Sequence, residues 1–388
     1  MARNIVVGVD VGTRSIRVVV AEQQKQVPYP VVIGTSIAPS RGLKHGYVLD
    51  RHDAAKSIRA AIAMAEKSSR VRIKSVYLSI GGVSLESLTS KGSVTITKAD
   101  EEVTDLDVQK VVAASKENLK NINNKKIIDT IPLEYKLDGK PILGRPQGLK
   151  GAKLEVTTLF IVSLSQHIED IVRATEAAGV EVEDIAAAPV AASLVALSKR
   201  QRTVGSLLVN IGAETVSMSV FEGNVPIALS VFPIGSTDIT NDIALGLEIP
   251  LEEAEQVKLG AAPHSHPRRQ LTEIIEARLS DIFELIEAQL KKIKRNGLLP
   301  GGVVITGGGA GIATIEDFAK ASLKLPVKIA SAEFFHETPH EGHVQDSSWF
   351  VAYGLCIFGI HQDRISSQKE FIRGAIRVAK NWIRHILP

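Results

Sequence analysis

The chain has 388 residues, 44% hydrophobic and 23% charged, enough for two domains with separate cores and too apolar for a largely disordered protein. No apolar run reaches the ~18 residues of a membrane span, the start runs straight into a strand without a signal-peptide pattern, and a lone Cys356 leaves no internal disulfide, as expected of a reducing cytoplasm. The net charge of +3 is uneven: Gln368 to Pro388 carries +4 and the rest −1, which argues against a nucleic-acid-binding body.

The first predicted elements are two strands around a tight turn, Ile5 to Val20, with Asp10, Gly12, Thr13, Arg14 and Ser15 at the turn. Gly12 lets backbone approach an anion, the N–H groups of Gly12, Thr13 and Arg14 suit phosphate oxygens, and Asp10 is placed to hold a divalent metal through water. An ordinary glycine-containing hairpin has the same pattern, and this stretch alone does not separate the two. A strand over 31–35 follows, then Gly46–Asp50 leading into a helix over 51–68 with Ile58, Ala61, Ile62 and Ala65 at helical spacing. Residues 76–82 read as a buried strand closed by glycines. From there to about 155, short strands (92–97 and 127–133) alternate with a polar helix (105–121) and a Gly/Pro-rich stretch (139–151), the mark of an inserted α+β module.

Strand character returns over 154–164, followed by a helix (165–178), a strand (180–185) and an Ala-rich helix (189–199). Lys199–Thr203 reads as a polar joint between the halves. Beyond it, residues 206–222 repeat the opening layout, with Asn210 for Asp10, Gly212 for Gly12 and Thr215 for Ser15. A strand over 227–234 is closed by Gly235. Helices start at about 237 and 250, a long amphipathic helix covers 271–295, and a third glycine turn, Val303–Gly311, follows another apolar run. An apolar helix over 349–359 ends the body.

Two facing phosphate hairpins with a strand–glycine-turn–helix after the second give the layout of the actin-like ATPases, a set far more specific than any one glycine loop. With Gly46–Asp50, Ile131–Tyr135, Pro233–Ile243, Ala254–Lys258 and Gly301–Gly309, the whole chain resembles the FtsA family, actin-like proteins of bacterial cell division. The resemblance implies an α/β, actin-like two-lobed ATPase fold with an inserted subdomain of the SHS2 kind and a C-terminal amphipathic helix. The expected division is 1–75 with 159–200 (first-lobe core), 76–158 (insert), 201–240 with 298–360 (second-lobe core), 241–297 (upper second lobe), 361–367 (linker) and 368–388 (membrane helix).

The resemblance also implies ATP with Mg2+ in the cleft, filaments of the protein itself, and tethering of the tubulin-like FtsZ, with other division proteins, to the cytoplasmic face of the inner membrane. Its nucleotide site falls here on Asp10, Gly12, Thr13, Arg14, Ser15, Asn210, Gly212, Ala213, Thr215, Gly235, Gly307, Gly308, Gly309 and Ala310, with Glu255 and Lys258 flanking purine and ribose. Without the resemblance, Glu255 and Lys258 read as a surface i,i+3 ion pair worth tenths of a kcal/mol. Arg278 falls where the family holds the FtsZ C-terminal peptide, although the neighbouring loop is short and the residue is otherwise an ordinary exposed base.

Three departures bear on turnover. Asn210 stands for an Asp, Ala213-Glu214 replace further glycines, and Ala188 sits where relatives often carry an acid near the attacking water. With two carboxylates missing, nucleotide binding with slow or absent hydrolysis is the expectation. The same departures argue against a sugar or acetate kinase. A pilus-assembly relative of the PilM kind, which lacks a basic tail, is the nearer alternative.

The tail is readable on its own. Phe371, Ile372, Ile376, Trp382, Ile383 and Ile386 recur at three and four along one face, while Arg373, Arg377, Lys380 and Arg384 lie opposite or at its rim, as in a helix lying on an anionic membrane surface. A packed core helix or a partner-binding helix shares the periodicity but rarely this basic density. His264, His266, His336, His340 and His343 lack a ligand framework and read as solvated loop residues.

Overall fold

The computed structural model describes residues 4–24, 27, 29–98, 100–260, 267–331 and 346–369, with side chains as far as His361. The chain begins with an antiparallel meander: β1 (Ile5–Val11), β2 (Ser15–Glu22) and β3 (Val31–Pro39). A small hairpin, β4 (Leu43–Lys44) and β5 (Tyr47–Val48), leads to α1 (Arg51–Ser69), whose N-cap Asp50 accepts from the Asp53 amide. Ile58, Ala61, Ile62 and Ala65 are buried on this helix, the face that the spacing predicts. The strand β6 (Ser75–Ile80) pairs parallel with β1.

The insert comprises β7 (Glu86–Thr95), α2 (Asp105–Glu117), β8 (Lys125–Leu137), β9 (Lys140–Ile142) and β10 (Lys153–Leu164), in sheet order β7-β10-β8-β9. A Thr104–Asp107 capping box starts α2. The chain then returns through α3 (Ser165–Ala177) and β11 (Glu181–Ala187), completing a first-lobe sheet of order β11-β6-β1-β2-β3.

Two helices, α4 (Ala188–Ala196) and α5 (Lys199–Val204), cross to the second lobe. There β12 (Ser206–Ile211), β13 (Val216–Glu222) and β14 (Val225–Phe232) repeat the meander, while β15 (Val303–Thr306) and β16 (Val327–Ile329) add parallel strands. The second sheet, β14-β13-β12-β15-β16, therefore has the order of the first. Its outer layer holds α6 (Ser236–Leu247), α7 (Leu251–Lys258), α8 (Arg268–Lys292) and α9 (Ile315–Leu323). Ser87 of the insert ties to this lobe, bonding both the N–H and the carbonyl of Leu229 on β14.

The last described element, α10 (Phe350–Lys369), explains how the lobes share a core. Every residue from Phe350 to Ile360 is buried, as expected of a helix that is apolar all round. It packs on Val6, Val19 and Tyr77 of the first lobe and on Leu208 and Val304 of the second. Gly354 and Gly8 allow the contact, because a Cβ on either would lie 2.0 Å from a carbonyl oxygen, of Ala191 and Ala352 respectively. Cys356 is enclosed here, and burial pushes its thiol up to about 12.

The polar joint expected at Lys199–Thr203 falls within α5, started by a Ser198–Gln201 capping box. Three other expectations need correction. Residues 361–367, expected as a linker, continue α10. Placing the insert from residue 76 is too early, because β6 hydrogen-bonds within the first-lobe sheet. The polar helix of the insert ends at Glu117 and not 121; Asn118 caps it and Asn121 has φ of 59°. All but the first two residues of the predicted membrane tail, 368–388, and the five loop histidines lie outside the described residues.

Candidate functional site: an interlobe cleft between two glycine hairpins

The two hairpins are built alike to the atom. In the first, the Gly12 N–H donates to Ser15 O at 3.2 Å; in the second, the Gly212 N–H donates to Thr215 O at 2.9 Å. An added Cβ would stand 2.9 Å from that same carbonyl in both, so glycine is required by the turn itself. The Gly12 amide closes the hairpin and does not face a ligand, contrary to expectation. This leaves the Thr13 and Arg14 amides at the first tip.

Between the lobes these turns line a cleft of about 680 Å³, within the usual range for a small-ligand site. It brings together Asp10, Gly12, Thr13, Arg14, Ser15, Asn210, Gly212, Ala213, Thr215, Glu255, Lys258, Gly307, Gly308 and Ala310, and Ala188 also lines it. Gly235 and Gly309 are not among the lining residues. A Cβ on Gly235 would lie 2.3 Å from Ala213 O, and one on Gly309 2.4 Å from Ile211 Cγ2. Both make room for protein, and the cleft wall depends on them indirectly. The start of α6 clamps the second loop, since Ser236 N and Thr237 N donate to Gly212 O and Ala213 O at 2.9 and 2.8 Å.

Strand register sets the chemistry of the floor. Asp10 stands directly opposite Arg17 on β2, as Asn210 stands opposite Ser217 on β13. Asp10 Oδ1 accepts from Ser79 Oγ at 2.8 Å. Burial raises its pKa, against the opposing effects of that hydrogen bond and of the Arg17 charge. Burial in turn lowers the Arg17 pKa; its Nη1 donates to Ser15 Oγ at 2.7 Å and its Nε is buried without a partner among the described residues. The same guanidinium lies 5.7 Å from the Trp349 ring and within reach of the Asp346 charge. Arg17, Ser79 and Asp346 all line the cleft and were missed from the sequence. The alternation that points Arg17 to the Asp10 face of β2 was the available signal for one of them.

On the far wall, Lys258 Nζ donates to Ser236 O, Thr240 Oγ1 and Glu255 Oε2 at 3.1, 2.9 and 2.6 Å, with only 3% of its side chain exposed. Burial would raise the Glu255 pKa, but hydrogen bonds from Lys258 and Thr240 and the nearby cations hold it below its ordinary value. This is an embedded network, not the surface ion pair that the spacing alone suggests. Arg14 reaches it from the first lobe. Glu214 is absent from the cleft lining; its carboxylate accepts from the His45 amide at 2.6 Å, a further bond between lobes.

A divalent cation fits this floor in one way. No group of three or more His, Cys, Asp or Glu side chains that would hold a metal exists among the described residues, so there is no preformed protein cage. Asp10, desolvated and lining the cleft, suits Mg2+ held mostly by nucleotide phosphates and water.

Arg278 lies apart, on α8. Its Nε and Nη2 hold Asp242 at 2.7 and 3.0 Å, and its Nη1 holds Asp281 at 3.1 Å. The Asp242 bonds raise its pKa. These residues line a hollow of about 330 Å³ with Leu245, Ile274 and Ala277. No helix among the described residues is long and apolar enough to cross a membrane.

Comparison with known proteins agrees with this geometry. Residues 207–354 match the family model described as cell division protein FtsA, and residues 82–162 match the SHS2 domain inserted in FtsA. The cell division protein FtsA of Borreliella burgdorferi is 30% identical, covering 95% of this chain and 94% of that protein. Those of Bacillus subtilis and Escherichia coli are 29% and 27% identical, covering 94% and 99% of this chain and 85% and 97% of theirs. Among solved structures, the PilM–PilN type IV pilus biogenesis complex superposes with a TM-score of 0.68 at 17% identity over 92% of this chain and 98% of that one. Spiroplasma citri MreB5 bound to ADP gives 0.53 at 14% over 95% and 99%. These likenesses show the fold, the actin-like ATPase fold with an SHS2 insertion, which suggests nucleotide binding. The chain belongs to the FtsA family of cell division proteins.

Proposed function

We propose that the chain binds ATP with Mg2+ in the interlobe cleft and uses the bound state to control its own assembly at the cytoplasmic face of the inner membrane. There it tethers FtsZ and recruits other division proteins. The observation that carries the reading is the pair of identically closed hairpins facing each other across a cleft with the Gly307–Gly311 turn at its edge. In it the Thr13 and Arg14 amides and the Arg17 guanidinium would face phosphate, and Glu255 and Lys258 the purine and ribose. Asp10 would orient the metal through water. Phosphate-bound Mg2+ supplies charge neutralisation. Ala188 and Asn210 offer no carboxylate to orient an attacking water, so turnover is slow, below about 1 s⁻¹.

The tail supplies the membrane contact in this reading, through an apolar face and five bases. The FtsZ C-terminal peptide docks at the Arg278 hollow. Because Asp242 and Asp281 already occupy the Arg278 fork, its grip comes chiefly from Leu245 and Ile274, with Leu245 79% exposed.

Co-sedimentation with anionic liposomes and Mg-ATP tests the reading, comparing the full chain with one ending at Lys369, which keeps α10 whole. Only the full chain should pellet, with filaments visible by electron microscopy. Equal solubility of both chains would overturn the tether and favour a scaffold recruited by a partner.

A further inference from the structure

A second hollow, of about 550 Å³, lies on the outer face of the first lobe, away from the cleft, between α1 and α3. Its lining is one-sided in charge. Arg51, His52, Lys56 and Arg59 come from α1 and Arg173 from α3, around Ala55, Ala174 and Ala177, and no carboxylate lines it. Acids stand outside it: Asp170 lies 3.6 Å from Arg51, Glu169 lies 3.3 Å from Arg173, Asp50 caps the start of α1 and Asp53 sits in its first turn. Arg59 is fixed by the carbonyls of Ala177 and Ala178 at the end of α3. Lys56 and His52 have no ion-pair partner among the described residues. Four permanent cations thus meet in a body whose charge, outside the tail, is close to zero.

We infer that the α1–α3 hollow is a docking site for an acidic, extended peptide segment of another protein. The alanines matter as much as the charges, because small side chains leave a trough into which a backbone can settle. A flat lipid surface would meet only the protruding cations. From Arg51 to Arg59 the helix advances about 12 Å, the reach of about four residues of extended chain. Carboxylates at that spacing face Arg51, Lys56 and Arg59 in turn, with Arg173 on the opposite wall. Leu49, 71% exposed and immediately before the hollow, offers an apolar contact to a residue flanking the acids. Charge here sets register and on-rate more than affinity, so binding is weak to moderate and strongly screened by salt.

Fluorescence anisotropy of a labelled Leu-Glu-Asp-Glu-Glu peptide with the full chain tests this. Saturable binding at about 50 mM salt should weaken about tenfold or more in Lys56→Glu/Arg173→Glu, and again at about 300 mM salt. Both substituted side chains are exposed, so the melting temperature should stay close to that of the parent chain. Leu245→Asp, which removes the chief exposed contact of the hollow on α8, should leave the binding unchanged, which separates the two sites. A flat signal at low salt, an unchanged affinity in the double variant, or loss of binding in Leu245→Asp would overturn the inference. So would two other results in Lys56→Glu/Arg173→Glu: loss of vesicle binding by a chain ending at Lys369, which assigns the hollow to lipid, or loss of self-association in sedimentation velocity, which assigns it to a second copy.

Discussion

Arg14 Nη1 lies 2.8 Å from Glu255 Oε1, joining the tip of the first hairpin to α7 across the mouth of the cleft. The two ends of this bond are unequal. The Arg14 side chain is 60% exposed, whereas Glu255 also satisfies a lysine with 3% of its side chain exposed. The exposed arm contributes little to stability, and the embedded arm holds α7 against α6.

Arg14→Gln should therefore cost less than about 1 kcal/mol. Glu255→Gln should cost about 2–3 kcal/mol, since it leaves Lys258 charged among neutral oxygens. Urea unfolding of the two variants checks the ordering. Equal costs would mean that Lys258 keeps its charge satisfied through Ser236 and Thr240 alone.

The glycines divide by what an added methyl meets. Gly308 has nothing within 4 Å of a built Cβ, whereas Gly235 has the Ala213 backbone at 2.3 Å. Gly308→Ala should fold with a parental melting temperature and lose about tenfold in nucleotide affinity, because it lines the cleft. Gly235→Ala should be destabilised by about 2 kcal/mol or more through displacement of α6 from the second loop. Calorimetry and thermal melts separate these outcomes.

Much of this was legible in the sequence, for identifiable reasons. The hairpins are local: Gly12 and Gly212 each close on a residue three positions on, so the pattern carries its own geometry. Ser79 and Asp346 are 69 and 336 residues from Asp10, and only parallel pairing of β6 with β1 and the packing of α10 bring them into the same cleft. Gly235 and Gly309, expected at the nucleotide, sit against protein and do not line the cleft; a glycine that admits a ligand and one that admits a neighbouring backbone look the same in one dimension. The stretch 361–367 was misread because polarity is no helix breaker. His-Gln-Asp-Arg-Ile-Ser-Ser contains neither glycine nor proline, so nothing in it stops α10.

Glu214 bonds the His45 amide across the cleft. A charge-assisted bond of this kind contributes about 1.5–3 kcal/mol when enclosed, less for a carboxylate left 27% exposed. Glu214→Ala should loosen the lobes and speed release of a fluorescent ADP analogue about three- to tenfold, with little change in melting temperature. Stopped-flow displacement measures this. An unchanged rate would mean that lobe opening is not what limits release.

His167 gives the fold an acid-sensitive point behind the cleft. Its Nε2 lies 3.0 Å from Gly81 O and its ring packs edge-on to Tyr47 at 4.8 Å, while Nδ1 is buried without a partner among the described residues. Burial lowers its pKa, with the Gly81 bond and the Asp170 charge acting the other way. Because the folded pKa lies below the unfolded value of about 6.5, the unfolded chain binds the proton more readily between the two. The contribution to stability is therefore complete above about pH 6.5 and is lost as the pH falls through the folded pKa. Each unit of depression corresponds to about 1.4 kcal/mol. The parent chain should melt lower at about pH 5.5 than at 7.5. His167→Gln, which retains a donor for Gly81 O, should remove part of that difference while lowering stability at pH 7.5 by about 1 kcal/mol. If the variant keeps the full pH dependence, the acid sensitivity belongs to another group. Gly81 and Gly82 line the cleft, so the same protonation should also weaken nucleotide binding in the parent and leave the variant less affected.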